Sequence, residues 1–268
     1  MTVMRKAVAV IVASFLSFAA FAAEPTTIEL ERAKYEQVLV PMYSIQIVAG
    51  ANGSLWETEF TGRNGGASPA LAFQRAGDGV EPTALASGQT FHIRPARDYQ
   101  NPANPGVFIY VDKEHAATIS FALRLREWSQ PADFVELPIV RERDFSSTTT
   151  QLLEVPTSPA TRVHLRLYGS SSPNGRGDVI VRIFSADNTK LFEQPLSLTP
   201  AGGLAAIPGP TAFSENPAYA ELPNLTANFA GRGNVRVEIE PVTAGQRYWS
   251  FISVTNNATQ RVSLITPQ

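Results

Sequence analysis

The 268-residue chain contains no cysteine, which excludes disulfide bonds and catalysis by a thiol. It contains three histidines, His92, His115 and His164, and no two of them are two or four positions apart. Zinc-binding histidines are often that close in sequence, so the spacing argues against a zinc site. No stretch after the N-terminus has the periodicity of a helix, which points away from the helical fold classes.

The motifs of common enzyme classes are missing as well. The sequence has no Gly-x-Ser-x-Gly pentapeptide, the nucleophile elbow that opens a helix after a strand in many hydrolases. A serine–histidine–acid triad would have to use one of the three histidines. We interpret His164 as an outward-facing strand residue beside Arg166 and Tyr168. We therefore predict that the protein is not an enzyme, with no catalytic residues and no cofactor.

One turn holds three candidate metal ligands within four residues, Asp112, Glu114 and His115. It lies between two strong strands, where a charged tip is expected without a metal, and it lacks the alternating acidic pattern of an EF-hand. We predict no metal site. Loops of a β-sandwich can still assemble a calcium site from residues far apart in sequence, and the sequence leaves that alternative open.

Residues 1–23 have the pattern of a secretory signal peptide. Arg5 and Lys6 form a basic start, an apolar run follows, and small residues at 20–23 offer a cleavage site. The apolar run is about 15 residues long, short of the roughly 20 that span a bilayer. We expect cleavage after Ala23 and a secreted or periplasmic mature protein.

The mature chain should be mildly acidic. Removal of Arg5 and Lys6 leaves 20 basic residues against 24 acidic ones, a net charge of −4. Nucleic acids are bound by basic surfaces, so this balance argues against a nucleic-acid partner. No later segment is apolar enough to span a membrane as a helix, and we predict no transmembrane segment in the mature chain.

Strand-type alternation is clearest in residues 161–198. Apolar residues occupy every second position at 163–167 and again at 179–183, which is the period of a half-buried strand. The Gly-Ser-Ser-Ser-Pro-Asn-Gly sequence at 169–175 is a turn, since Gly and Pro interrupt strands. Short alternating strands and Gly, Pro or Asn turns continue through the mature chain, so we predict an all-β fold.

The three tryptophans fall in different positions of this pattern. Trp56 shares a strand face with Phe60, which indicates burial in a core. Trp249 and Phe251 share one phase, opposite Ile252 and Val254, so that strand should be buried on both faces. Trp128 is out of step with the apolar phase of the strand before it. We interpret it, in order of preference, as packing between domains, covering a domain end, or exposed for binding.

We predict two tandem domains, because the pattern restarts after residues 129–133. Phe134-Val-Glu-Leu-Pro echoes Val38-Leu-Val-Pro, in which Pro41 indicates an edge strand. About 245 residues could also form one large sandwich or barrel. The predicted organisation is a signal peptide at 1–23, a lead segment at 24–36, β-sandwich domains at 37–130 and 134–268, and a loop insertion at 199–226 with a helical turn near 216–220.

Two stretches resemble secreted bacterial proteins of uncharacterised function. The sequence Gly-Ala-Asn-Gly-Ser-Leu-Trp-Glu-Thr-Glu-Phe at 50–60 is similar to a motif of those proteins, and residues 247–260 are similar to their C-terminal segment. The resemblance covers about a third of the chain and implies immunoglobulin-like β-sandwiches of the kind found in large exported proteins. It implies no catalytic residues.

The sequence supports three functional hypotheses. The first is a non-catalytic exported protein, extracellular or periplasmic, that acts as an interaction or structural module for a protein or surface polymer. The second is a module that binds carbohydrate or a surface polymer through exposed aromatic rings, for which Trp128 is the candidate residue. The third is an enzyme whose site is built from loops and has no recognisable motif.

Overall fold

The structure, a computed structural model, describes residues 33–42, 48–49, 54–76, 79–93, 106–128, 134–170, 176–200 and 217–268. The predicted signal peptide at 1–23, most of the lead segment at 24–36 and the predicted linker at 129–133 lie outside these residues. Within them the fold is all-β, as predicted, and the only other regular elements described are 3-10 turns at Ala116–Thr118, Glu142–Asp144 and Ala227–Phe229.

Ten strands belong to the first half of the chain. They are β1 (Tyr35–Pro41), β2 (Val48–Ala49), β3 (Leu55–Asn64), β4 (Ala70–Ala76), β5 (Gly79–Leu85), β6 (Thr90–Ile93), β7 (Gly106–Asp112), β8 (Ile119–Glu127), β9 (Phe134–Leu137) and β10 (Val140–Arg141). The second half has eight, which are β11 (Thr150–Val155), β12 (Thr161–Gly169), β13 (Gly177–Phe184), β14 (Lys190–Pro200), β15 (Ala218–Leu222), β16 (Val235–Pro241), β17 (Tyr248–Asn256) and β18 (Val262–Ile265).

The first half is a sandwich of two sheets. One sheet has the order β10-β1-β7-β4-β5, and the other has the order β2-β3-β8-β9 with β6 also paired to β3. Apolar residues from both sheets share one core, among them Leu39 and Val111 from one sheet and Phe60 and Leu123 from the other, all at most 1% exposed. The predicted core positions of the Trp56 and Phe60 face are confirmed, with Trp56 half-buried against this core.

The second half is one sheet of eight strands that folds over its own core, in the order β11-β16-β13-β14-β15-β12-β17-β18. Strand β14 is eleven residues long, pairs with β13 along most of its length, and pairs with β15 at its end. The backbone N–H of Gln268, in the segment after β18, donates to the carbonyl of Gln151 on β11 at 3.1 Å. This bond links the two strands that lie at opposite ends of the sheet. The predicted alternation is confirmed, since Val163, Leu165, Leu167, Val179, Val181 and Ile183 are at most 1% exposed.

The sheets divide at a different place from the one that the sequence predicts. Strand β9 begins at Phe134, the predicted start of the second domain, yet it pairs with β8 of the first half. Strand β10 pairs with β1, through Val38 opposite Arg141 and Leu39 opposite Val140. Both strands bury apolar side chains in the first core, Leu137 and Val140, and this burial draws them to that half.

Two further expectations differ from the structure. Strand β1 is not an edge strand, because it lies between β10 and β7, and Pro41 is accommodated as its last residue. The predicted insertion at 199–226 contains strand β15, where a helical turn was expected, and this strand pairs with β12 and β14. Residues 201–216 lie outside the described part of the chain.

Aromatic side chains on one sheet face join the two halves. Tyr168 on β12 and Trp249 and Phe251 on β17 are at most 8% exposed and pack into the core of the first half. Their ring centroids are 5.3 to 6.3 Å apart, and the Tyr219 ring lies 5.1 Å from that of Tyr168. We call Tyr168, Tyr219, Trp249 and Phe251 the junction aromatic cluster. The opposite face of β17 carries Ile252 into the second core, which confirms the predicted burial of this strand on both faces.

The fit at this junction is close. The backbone N–H of Met42 donates to the Tyr168 hydroxyl at 3.3 Å. A Cβ atom added to Gly106 would lie 3.0 Å from the carbonyl oxygen of Val40 and 3.1 Å from the Tyr168 ring. Arg247 also donates two guanidinium hydrogen bonds to the segment that follows β10, at the carbonyls of Glu142 and Phe145. Gly106 therefore permits the approach of the Tyr168 ring to β1.

We predict that the two halves unfold together. Phe251→Ala would leave a cavity in the shared core and should lower the free energy of unfolding by about 3–5 kcal/mol. Hydrogen exchange should show faster opening of β7 in the first half as well as of β12 in the second. Phe192→Ala, which truncates a half-buried ring in the second half away from the junction, is the control. Exchange that accelerates only in the second half for Phe251→Ala would contradict this prediction.

Candidate functional site

Trp128 lies immediately after β8, on the outward face of its sheet. The alternate residues Ile119, Leu123 and Leu125 of β8 are buried, whereas Trp128 is 37% exposed. Its backbone N–H donates to the carbonyl of Leu55 at 2.7 Å, which places the two residues opposite one another. Trp128 lies outside the junction aromatic cluster, and more than a third of its surface is exposed.

Two more large apolar side chains are exposed on this face. Leu55 begins β3 and is 40% exposed, and Phe134 begins β9 and is 48% exposed. Phe134 lies opposite Arg126 on β8, two positions from Trp128 on the same face. We call Leu55, Trp128 and Phe134 the Trp128 patch. Clustered exposed apolar side chains commonly mark a surface that binds another molecule, whereas single ones are ordinary.

Charged side chains form rows beside the patch on the same face. Arg126 and Glu57 are paired across β8 and β3, with Glu57 only 7% exposed in its side chain. Arg124 is paired with Glu136 at 3.4 Å, and its guanidinium lies 4.6 Å from the centroid of the Phe134 ring. These contacts cross three strands of one sheet. Arg124 packs on the Phe134 ring, and the exposed charged groups give the patch a rim that can form hydrogen bonds.

The turn with the three candidate metal ligands forms as a compact tip after β7. Ligand atoms of Asp112, Glu114 and His115 lie within 4.8 Å of one another, close enough to meet around one cation. The Asp112 carboxylate also serves the turn itself, since it accepts the backbone N–H of Glu114 at 3.0 Å and lies 3.5 Å from Nδ1 of His115. The turn accounts for this arrangement, and we assign no metal to it.

His164 belongs to a polar group at the edge of the junction. Its Nε2 lies 3.0 Å from a carboxylate oxygen of Glu221, and the Tyr219 hydroxyl donates to the same oxygen. Ser253 lies opposite His164 in the β12–β17 register, so a serine, a histidine and an acid occupy neighbouring strands. The Ser253 hydroxyl, however, accepts a hydrogen bond from Arg166 at 2.8 Å. The Ser253 hydroxyl is therefore hydrogen-bonded to the Arg166 guanidinium and not to the His164 imidazole.

Burial shifts the pKa values of the side chains in this polar group. Burial lowers the pKa of His164 below 6.5, the nearby Arg166 lowers it further, and Glu221 offsets part of the shift. Burial alone would raise the pKa of Glu221, but the hydrogen bond from Tyr219, the charges of His164 and Arg166 and the hydrogen bond with His164 hold it below its usual value. Burial raises the pKa of Tyr219 and of Tyr168 far above 10, so both remain neutral donors or acceptors.

Sequence reasoning found Trp128 but missed its companions. Leu55 and Phe134 stand at strand starts, and only the pairing of β3, β8 and β9 brings them beside Trp128. Glu221 and Tyr219 were missed because they fall in the stretch interpreted as a loop insertion. The usable signals were the outward phase of Trp128 and the position of Leu55 opposite the face that carries Trp56 and Phe60.

Comparison with family models, with curated proteins and with solved structures found no match for this chain. Among the residues that the structure describes, no helix is long and apolar enough to cross a membrane.

We predict that stability depends on pH through His164. Because its folded-state pKa lies below the 6.5 of an ordinary histidine, the unfolded chain binds more protons near that pH. The free energy of unfolding should therefore fall as the pH drops through 6.5 and level off below the folded-state pKa. His164→Gln should flatten this part of the curve, as measured by chemical denaturation at a series of pH values. His92→Gln, at an exposed histidine, should keep it, and an unchanged slope in His164→Gln would contradict the assignment.

Proposed function

We propose that the protein is a non-catalytic exported interaction module that binds its partner through the Trp128 patch. The observation that supports this proposal is the grouping of Leu55, Trp128 and Phe134, each more than a third exposed, on one sheet face. Of the large apolar side chains exposed in the described chain, the other two, Leu153 and Val242, lie in the second half.

The patch has the composition of an interaction hot spot. Tryptophan and other aromatic residues dominate the binding energy of protein interfaces, and they act best when a polar rim surrounds them. Here the rim is supplied by Arg126 and by the Arg124–Glu136 pair. A sheet supports the patch, so little conformational entropy should be lost on binding. The partner we propose is a protein or a surface polymer outside the cytoplasm.

We propose the remaining organisation from the sequence together with the sheets. The protein would be exported by the signal peptide at residues 1–23 and would consist of two tandem immunoglobulin-like β-sandwiches. In the described residues the strands of the first half form two sheets, those of the second half form a third, and most members of each core come from one half, which supports the two-sandwich proposal. The strand pairing of β9 and β10 favours a division after Arg141.

Export can be tested by mass. Intact-mass spectrometry of the protein recovered from outside the host cytoplasm should show a chain that begins at Glu24, because the basic start, the apolar run and the small residues before it form a cleavable signal. A chain of full length recovered there, still carrying Met1, would contradict the signal peptide.

The binding proposal can be tested with envelope fractions of the host. Purified mature protein should bind them saturably, and Trp128→Ala should weaken binding by about 30-fold, the effect of losing roughly 2 kcal/mol at a hot spot. Leu153→Ala, also at an exposed apolar residue but in the other half, is the matched control and should bind normally. Equal binding by the Trp128→Ala and Leu153→Ala proteins would overturn the proposal.

A carbohydrate-binding module is the second candidate. The favouring observation is that two aromatic rings, those of Trp128 and Phe134, are exposed beside carboxylate and guanidinium groups on the same face. Sugar rings stack on such side chains while their hydroxyls bond to neighbouring polar groups. A glycan array separates the two candidates: binding that Trp128→Ala abolishes would support the carbohydrate module, and binding to an envelope protein alone would support the first proposal.

A further inference from the structure

The chain contains one sulfur atom outside the predicted signal peptide, the thioether sulfur of Met42. The sequence has no cysteine and three methionines, and the other two, Met1 and Met4, lie within residues 1–23. Peroxides convert methionine to its sulfoxide, and exposed thiols are the other sulfur groups that they oxidise. Oxidation at sulfur in the mature chain is therefore confined to Met42.

Met42 lies where the two halves of the protein meet. It directly follows β1, its side chain is half-buried, and it packs against the core of the first half. Its backbone N–H donates to the Tyr168 hydroxyl of β12, in the second half, at 3.3 Å. Tyr168 is fully buried and belongs to the junction aromatic cluster. Met42 thus contacts the first half through its side chain and the second half through its backbone.

The backbone of Met42 has a conformation that few residues with a side chain adopt. Its φ is 52°, in the left-handed region, which glycine occupies without steric cost and methionine does not. Such a conformation persists in a larger residue only where the surrounding contacts hold it. For Met42 these contacts include the packing of its side chain and the hydrogen bond to Tyr168. A chemical change in the side chain should therefore affect the hydrogen bond as well.

Oxidation would make the Met42 side chain polar. Hydrogen peroxide transfers one oxygen atom to the thioether: the O–O bond breaks, an S–O bond forms, the sulfur is oxidised by two electrons, and the peroxide is reduced to water. Burying an unbonded polar group is unfavourable, so the sulfoxide should turn from the core of the first half towards water. The left-handed backbone would then lose the packing that holds it.

We propose that Met42 is a redox-sensitive modification site, and that its oxidation to the sulfoxide loosens the contact between the two halves. The half-buried position gives an oxidant access to the residue, and the packing of its side chain makes the modification matter to the fold. Enzymes reduce methionine sulfoxide, so the change is reversible. The proposal goes beyond the proposed function and is independent of it, because Met42 is not part of the Trp128 patch and the test measures no binding.

The test compares the mature protein before and after treatment with hydrogen peroxide. Peptide mass mapping should show one added oxygen atom at Met42. Hydrogen exchange should become about tenfold faster at amides of β12 in the second half as well as of β7 in the first, the effect of weakening one hydrogen bond and the packing beside it. Methionine sulfoxide reductases for both sulfoxide epimers should restore the original exchange rates.

Two variants at the same position separate the sulfur chemistry from the packing. Met42→Leu is the matched control, because leucine keeps an apolar side chain of similar volume and has no sulfur. It should exchange like the untreated parent protein, and peroxide should leave its exchange rates unchanged. Met42→Gln places a polar side chain at the junction and should accelerate exchange in β12 without any oxidant.

The proposal is overturned if peroxide leaves Met42 unmodified, or if the sulfoxide forms while exchange in β12 stays at its original rate. An equal response of the parent and Met42→Leu proteins to peroxide would also overturn it, because another residue would then be the cause. The same holds if Met42→Gln exchanges as slowly as the parent protein, since a polar side chain would then be tolerated at the junction.

Discussion

The contact between the two halves depends on the burial of aromatic rings on the outer face of β12 and β17. Tyr168, Trp249 and Phe251 project from a sheet whose opposite face already covers a core, so the same strands serve two cores. A fully buried aromatic side chain contributes about 1.5–3 kcal/mol through the hydrophobic effect alone. The sum over three rings is comparable to the net stability of a whole domain.

The polar groups at the junction depend on the same burial. Partial burial of His164 and Tyr219 strengthens their hydrogen bonds to Glu221, whose own side chain remains 45% exposed. Glu221 satisfies two donors at once, from His164 and Tyr219. By contrast, the Arg124–Glu136 pair beside Trp128 lies on an open sheet face, where an ion pair contributes little to stability. Its placement suits recognition better than it suits folding.

Much of the fold could be predicted from residue alternation, because apolar residues at every second position indicate a strand with one buried face. Val163, Leu165 and Leu167 were placed in the core on this basis. Strand partners could not be predicted. The segment at Phe134 has the same local pattern as the segment at Val38, yet the two strands pair with different neighbours, because strand pairing is decided by contacts between residues distant in sequence. At the candidate site, Trp128 carried a signal in its phase. Leu55 carried one too, opposite the face of Trp56 and Phe60, but the position of Phe134 beside them follows from strand pairing alone.

The pairing of β10 with β1 has a consequence for the order in which the chain can fold. Arg141 contacts Glu36 across a sequence separation of 105 residues, and it also donates to the carbonyl of Ile119. Synthesis delivers the chain from its N-terminus, so β1 stays without one neighbour until about a hundred further residues have emerged. Pairings of such long range are slow and leave strand edges open meanwhile. During this interval the apolar segment Val38–Val40, which is 0% exposed in the finished fold, stays uncovered on the side of β10.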